Sequence, residues 1–142
     1  MKVLMIEPGG WGGICHYTYN LCQALCGLGA RVTLVTDRNY ELRALPRGFD
    51  LIDELDPHGS YRRAVHTVAG VWRRLRPDIT HLQATLSARR DWAWFPLLNL
   101  LDIPVAVTAH NILPHDRAER EAFGMTFAQS RPASTAAGSV HS

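Results

Sequence analysis

The chain is nearly without lysine. Lys2 is the only one in 142 residues, and the rest of its 15 Lys and Arg residues are arginine. The excess of positive charge is slight, a formal +2 at pH 7. Nucleic-acid binders carry basic stripes, and so small an excess gives no ground for such a partner. The preference for arginine reads as the bias of a GC-rich genome, because no arginine-rich arm stands in the chain. Cysteine is scarce as well. Cys15, Cys22 and Cys26 fall within one helical stretch, and an odd number on one helix makes no disulfide framework. They read as small buried apolar side chains in a reducing compartment. No C-x2-C or H-x3-H spacing offers zinc ligands, so no metal site is expected. No apolar run is long enough to span a bilayer. The first residues do not read as a signal peptide, because their short apolar run meets Glu7 and Pro8 at once. The expected location is the cytoplasm, with the inner face of a membrane as the site of any peripheral contact.

What is present suits a globular domain: 46% apolar and 20% charged residues. Residues 2–6 form an apolar run rich in Val, Leu and Ile, as in a strand covered on both faces. Residues 14–28 are helical, with Ile14, Tyr17, Leu21, Leu25 and Leu28 at the spacing of a buried stripe. Gly27 and Gly29 mark the helix end. "ARVTLVTD" is a second strand ending at Asp37, and "FDLIDEL" a third. Ser60 caps a helix that runs to Leu75 and is stopped by Pro77. "DITHLQ" is a fourth strand, residues 89–101 a helix, "IPVAVTAHN" a fifth strand, and a further helix begins at Asp116. Alternating apolar strands and helices predict an α/β fold: a doubly wound parallel sheet, Rossmann-like, of strand order 3-2-1-4-5. The domain is expected over residues 1–125. Residues 126–142 are Ala, Ser and Thr with almost nothing to bury, and read as a disordered tail.

Between the first strand and the first helix stands "EPGGWGGI". Amides at a helix N-terminus suit a phosphate or another anion. No Gly-Lys-Ser/Thr follows, so the loop is not a P-loop. Gly10 and Gly12 match the first two glycines of a dinucleotide fingerprint, but Cys15 stands where the third belongs. Asp37 would then take the ribose, which keeps an NAD(P)-binding domain as an alternative. Trp11 offers an aromatic face to a sugar or lipid, or else packs over the first helix. In a doubly wound sheet the carboxyl ends of the strands hold the ligand. That edge gathers the glycine loop, His81 and Gln83 from strand 4, and Thr108, His110 and Asn111 from strand 5. A histidine at the end of a buried strand can hydrogen-bond or share a proton near neutral pH. Arg62, Arg63, Arg73, Arg74 and Arg76 read as a solvated helix face, with a basic membrane-facing surface as the other reading.

The segments "KVLMIEPGGWGGICHYTYNLCQAL", "GARVTLVTD", "RPDITHLQ" and "IPVAVTAHNILPHD" together resemble the N-terminal half of a glycosyltransferase of the GT-B fold, retaining family 4. The resemblance covers residues 2–116. It implies transfer of a sugar from a nucleotide-diphosphate sugar to an acceptor hydroxyl, with no bound cofactor. It implies an acceptor-side domain in which His110 reaches the reacting sugar. It implies that Gly10, Gly12 and Gly13 lie by the donor diphosphate and that Trp11, Gln83 and Asn111 line the site. Members of the family carry a second, nucleotide-binding domain with a Glu-x7-Glu motif, and nothing in this chain matches it. The expectation is therefore a truncated enzyme, inactive alone, or a non-catalytic subunit that pairs with a separate donor-binding chain.

Overall fold

A computed structural model describes residues 1–56, 59–84 and 104–110. The elements are β1 (Lys2–Glu7), α1 (Gly12–Gly27), β2 (Arg31–Asp37), β3 (Asp50–Leu55), α2 (Tyr61–Leu75), β4 (Ile79–Ala84) and β5 (Val105–Ala109). The five strands form one sheet of order β3-β2-β1-β4-β5, and every neighbouring pair is parallel. This is the Rossmann-like α/β sheet that the alternation of strands and helices predicts. The helices expected over 89–101 and from Asp116, the domain limit at 125 and the tail from 126 lie outside the described residues.

The central strand explains the two layers. From Val3 to Ile6 every side chain of β1 is buried, and successive side chains face opposite sides of the sheet. Leu4 and Ile6 pack with Val35, Leu82 and the α2 residues Val68 and Val71. Val3 and Met5 pack with Val32, Leu34 and the α1 residues Cys15 and Cys22. One strand thus supplies both cores, which accounts for its unbroken apolar run.

The buried face of α1 is not the stripe expected from Ile14, Tyr17, Leu21, Leu25 and Leu28. Cys15, Thr18 and Cys22 are the buried residues, while Tyr17 is 46% and Leu28 86% exposed. The cause is size. Three small side chains let the helix lie close on β1 and β2, and the larger Leu21 and Leu25 flank the contact as partly buried residues. The Thr18 hydroxyl donates to the Ile14 carbonyl at 2.8 Å, so its polar group is satisfied in that dry seam. The helix ends as its glycines suggest. Gly29 takes φ +85°, its amide bonds the Cys26 carbonyl, and the Ala30 amide bonds that of Leu25. These are the two bonds of a Schellman closure. Ser60 is the N-cap of α2, but its side chain makes no capping bond. Its carbonyl receives the Arg63 and Ala64 amides instead.

Candidate functional site

The carboxyl ends of β1, β4 and β5 meet at one edge, the ligand-binding edge of doubly wound folds. At β1 the chain leaves through Glu7. This carboxylate is 1% exposed and accepts three bonds: the Gly9 amide on Oε1 and the Gly10 amide on Oε2, each at 2.8 Å, and the Thr36 hydroxyl on Oε2 at 3.0 Å. Burial raises the Glu7 pKa, and the bonds from Gly10, Gly9 and Thr36 work against that rise. The amides of Gly9 and Gly10, expected to be free for an anion, are therefore held by the chain's own acid. Gly10 is glycine for a reason of the fold. Its φ is +73°, and a Cβ there would sit 2.5 Å from that of Asp37.

Asp37 does not present itself as a ribose ligand. It is 4% exposed, and its Oδ1 accepts the Asn39 amide at 2.6 Å, closing the turn after β2. Gly12 also takes a left-handed φ, +74°, but a Cβ there would meet nothing within 4 Å. Its amide donates to Glu41 Oε1 at 3.1 Å. The same oxygen lies 2.8 Å from His16 Nε2, and the Glu41 amide bonds the Gly10 carbonyl. A carboxylate from the loop after β2 therefore already faces the positive end of α1. Gly13 is exposed. Trp11 is 70% exposed, so it does not pack over the first helix.

At the other end of the edge, Gln83 and His110 come together. Gln83 is fully buried. Its Oε1 lies 2.6 Å from His110 Nε2, and its Nε2 donates to the Met5 sulfur at 3.2 Å. The Tyr17 ring meets the His110 ring edge-on, with centroids 5.0 Å apart. The Gly12-to-Tyr17 step along α1 is about 7.5 Å, so one helix joins the glycine loop to the histidine. One row inward, His81 Nε2 lies 2.8 Å from Thr108 Oγ1. Burial lowers the pKa of His110. It lowers that of His81 too, with the His110 charge adding to the effect. Both imidazoles are therefore neutral at pH 7. Asn111 lies outside the described residues.

The structure thus brings Gln83 onto His110 and sets Gly10, Trp11, Gly12 and Gly13 along the start of α1. Reading the sequence missed Glu7, Glu41 and the Tyr17 contact. A carboxylate two and three residues before paired glycines was the available signal for Glu7. The buried thiols are inert: burial pushes the pKa of Cys15 and of Cys22 up to about 12. Among the described residues no three His, Cys, Asp or Glu side chains cluster to hold a metal, and no helix is long and apolar enough to cross a membrane. A cavity of about 180 Å³ with Lys2, Arg31, Asp50 and Arg74 in its wall lies at the opposite, amino-terminal edge.

Fold and edge define a Rossmann-like α/β domain with a glycine-rich turn and a strand-end histidine on one ligand-binding edge. The sequence model of Glycosyltransferase Family 4 matches residues 11–136. The chain belongs to that family. No curated protein is similar enough to register as a relative. Among solved structures, the C-terminal domain of a hydrogenase from Pyrococcus furiosus is similar at 20% identity and a TM-score of 0.45, over 75% of this chain and 89% of that one. A likeness that slight has no bearing on function.

Proposed function

We propose that the chain is the acceptor-side domain of a GT-B, retaining glycosyltransferase. The reaction moves a glycosyl group from a nucleotide-diphosphate sugar to an acceptor hydroxyl, without a bound cofactor or an obligatory metal. One observation carries this reading beyond family membership. α1 links the glycine turn at its start to His110 through Tyr17, so a donor lying along that edge meets both the helix amides and the imidazole. In this reading Gly13, and Gly12 once the diphosphate displaces the Glu41 carboxylate from its amide, face the diphosphate, and His110 hydrogen-bonds the reacting sugar. Trp11 completes the wall, the buried Gln83 backs His110, and Asn111 is carried as a binding residue on the family resemblance alone. The basic groups that a diphosphate needs come from a second domain, in the same polypeptide or in a partner chain. Arg38 and Arg43, which follow β2, are paired with Asp56 and Asp53.

The test joins this domain to a matching donor-binding domain and replaces His110. A group that bonds the sugar in the transition state is worth roughly 10²-fold or more in turnover. His110→Ala is expected to lower kcat by about that factor with the far-UV spectrum unchanged. Near-normal kcat in the folded variant would remove His110 from the chemistry.

A further inference from the structure

Three features single out Gln83. It is fully buried in the middle of the sheet edge. Its amide has a partner at each end, Met5 on one side and His110 on the other. Those partners are chemically unlike. The Met5 sulfur can only accept, so the Gln83 NH2 belongs there and the Gln83 carbonyl belongs toward the histidine. A carbonyl can only accept, so the imidazole must present a proton to it at Nε2. Nδ1 is the remaining ring nitrogen, and it has no hydrogen-bond partner among the described residues.

We infer that Gln83 is a positioning residue, clamped by Met5, that holds His110 in the Nε2–H tautomer and leaves Nδ1 as an acceptor for a sugar hydroxyl. The inference rests on the proposed role of His110 for its meaning, but not for its test. It also sharpens that role. A neutral imidazole that already donates through Nε2 meets the sugar as an acceptor, so it selects a substrate that offers a hydroxyl proton at that place. A sugar lacking that hydroxyl, or carrying an ether or a carbonyl there, leaves Nδ1 unpaired. Only a hydrogen bond forms in this arrangement, and no proton changes owner.

The ring nitrogens report the tautomer directly in the 142-residue chain. In long-range proton–nitrogen NMR of the 15N-labelled protein above pH 7, His110 is expected to show protonated Nε2 and bare Nδ1. The Nε2 proton should be slow to exchange with water. Gln83→Leu should remove that protection. Gln83→Glu keeps the shape and the acceptor while adding a charge, and should raise the His110 pKa by roughly one unit or more. Among the described residues, the other titratable groups beside the ring are Tyr17 on α1 and His81 on β4. Neither is a carboxylate, and a rise over the parent chain reads the charge placed at position 83. Should Gln83→Leu fail to fold, the Gln83→Glu titration decides. An Nδ1–H tautomer in the parent chain, a fast-exchanging Nε2 proton there, or a His110 pKa unmoved by Gln83→Glu would each overturn the inference. None of these outcomes depends on turnover, so failure of the clamp and failure of the glycosyl-transfer reading are separate results.

Discussion

At the β1 end of the ligand edge, polar groups close on one another. Glu7 takes the amides of Gly9 and Gly10, Asp37 takes that of Asn39, and Glu41 takes that of Gly12. At the β4–β5 end the pattern is looser. His110 is half-buried, with one ring nitrogen engaged, and Val105 and Val107 of β5 remain 38% and 43% exposed. The same edge thus holds a self-satisfied turn and an open histidine. The difference separates two meanings of an unusual residue. Gly10 is required by what lies behind it in the chain, and His110 has a ring nitrogen that nothing among the described residues uses.

The sharpest break of this comparison is at Gly10. An alanine there must hold a left-handed φ and push its Cβ into Asp37 at 2.5 Å. Strain and overpacking together should cost roughly 2–5 kcal/mol. Gly12 has the same φ but open space, so Gly12→Ala should cost only the strain, about 1–2 kcal/mol. Denaturant unfolding of the two variants side by side measures the gap. Equal losses would mean that the contact with Asp37 relaxes freely and that the turn is less fixed than its bonds suggest.

Glu7 is the next target. Gln in its place supplies one oxygen and one NH2, so one buried donor, the Gly10 amide or its neighbour, is left facing another donor. A cost of roughly 1–3 kcal/mol follows. The pH dependence carries a signature of both ends of the edge. The folded pKa of Glu7 lies above its ordinary 4.5. Between those values the native state holds more protons than the unfolded chain, so the Glu7 contribution is complete below pH 4.5 and is lost as pH rises through the folded pKa. The folded pKa values of His81 and His110 lie below 6.5. Their contribution is complete above pH 6.5 and is lost as pH falls through the folded values. Glu7→Gln should therefore remove the loss on raising pH and leave the loss on acidification. His110→Ala should do the reverse in part. Unfolding free energies across pH 4 to 8 check both, and a Glu7→Gln profile parallel to the parent's would show that Glu7 is not desolvated.

How much of this was legible in the sequence depends on the range of the interaction. Strand order was readable because β1 and β2 are unbroken apolar runs, and a parallel sheet with crossover helices leaves few topologies. Gln83 and His110 were readable as neighbours for the same reason: strand ends that share an edge share a site. The phase of α1 was not. Ile14, Tyr17 and Leu21 are one residue away from Cys15, Thr18 and Cys22, and a count of large apolar side chains prefers the wrong set. Close helix–sheet contact favours small residues, a preference that periodicity does not weigh. Glu41 was out of reach altogether, since it meets Gly12 across 29 positions with no local pattern.

Gly13 gives the smallest effect and separates fold from function most cleanly. It belongs to the first turn of α1, is exposed, and a Cβ there would meet nothing within 4 Å. Its φ is not positive, in contrast to those of Gly10 and Gly12. As part of the fold alone it is simply a poor helix former, so Gly13→Ala should stabilise the chain by about 0.5–1 kcal/mol. Under the proposed role of the first-turn amides, the same methyl in the joined enzyme crowds the approach of the donor diphosphate, so KM for the donor should rise severalfold with kcat less affected. The two readouts point in opposite directions, which no purely structural role produces. A more stable variant with unchanged donor KM would confine the site to Gly12 and His110, and a destabilised one would mean that α1 begins after Gly13.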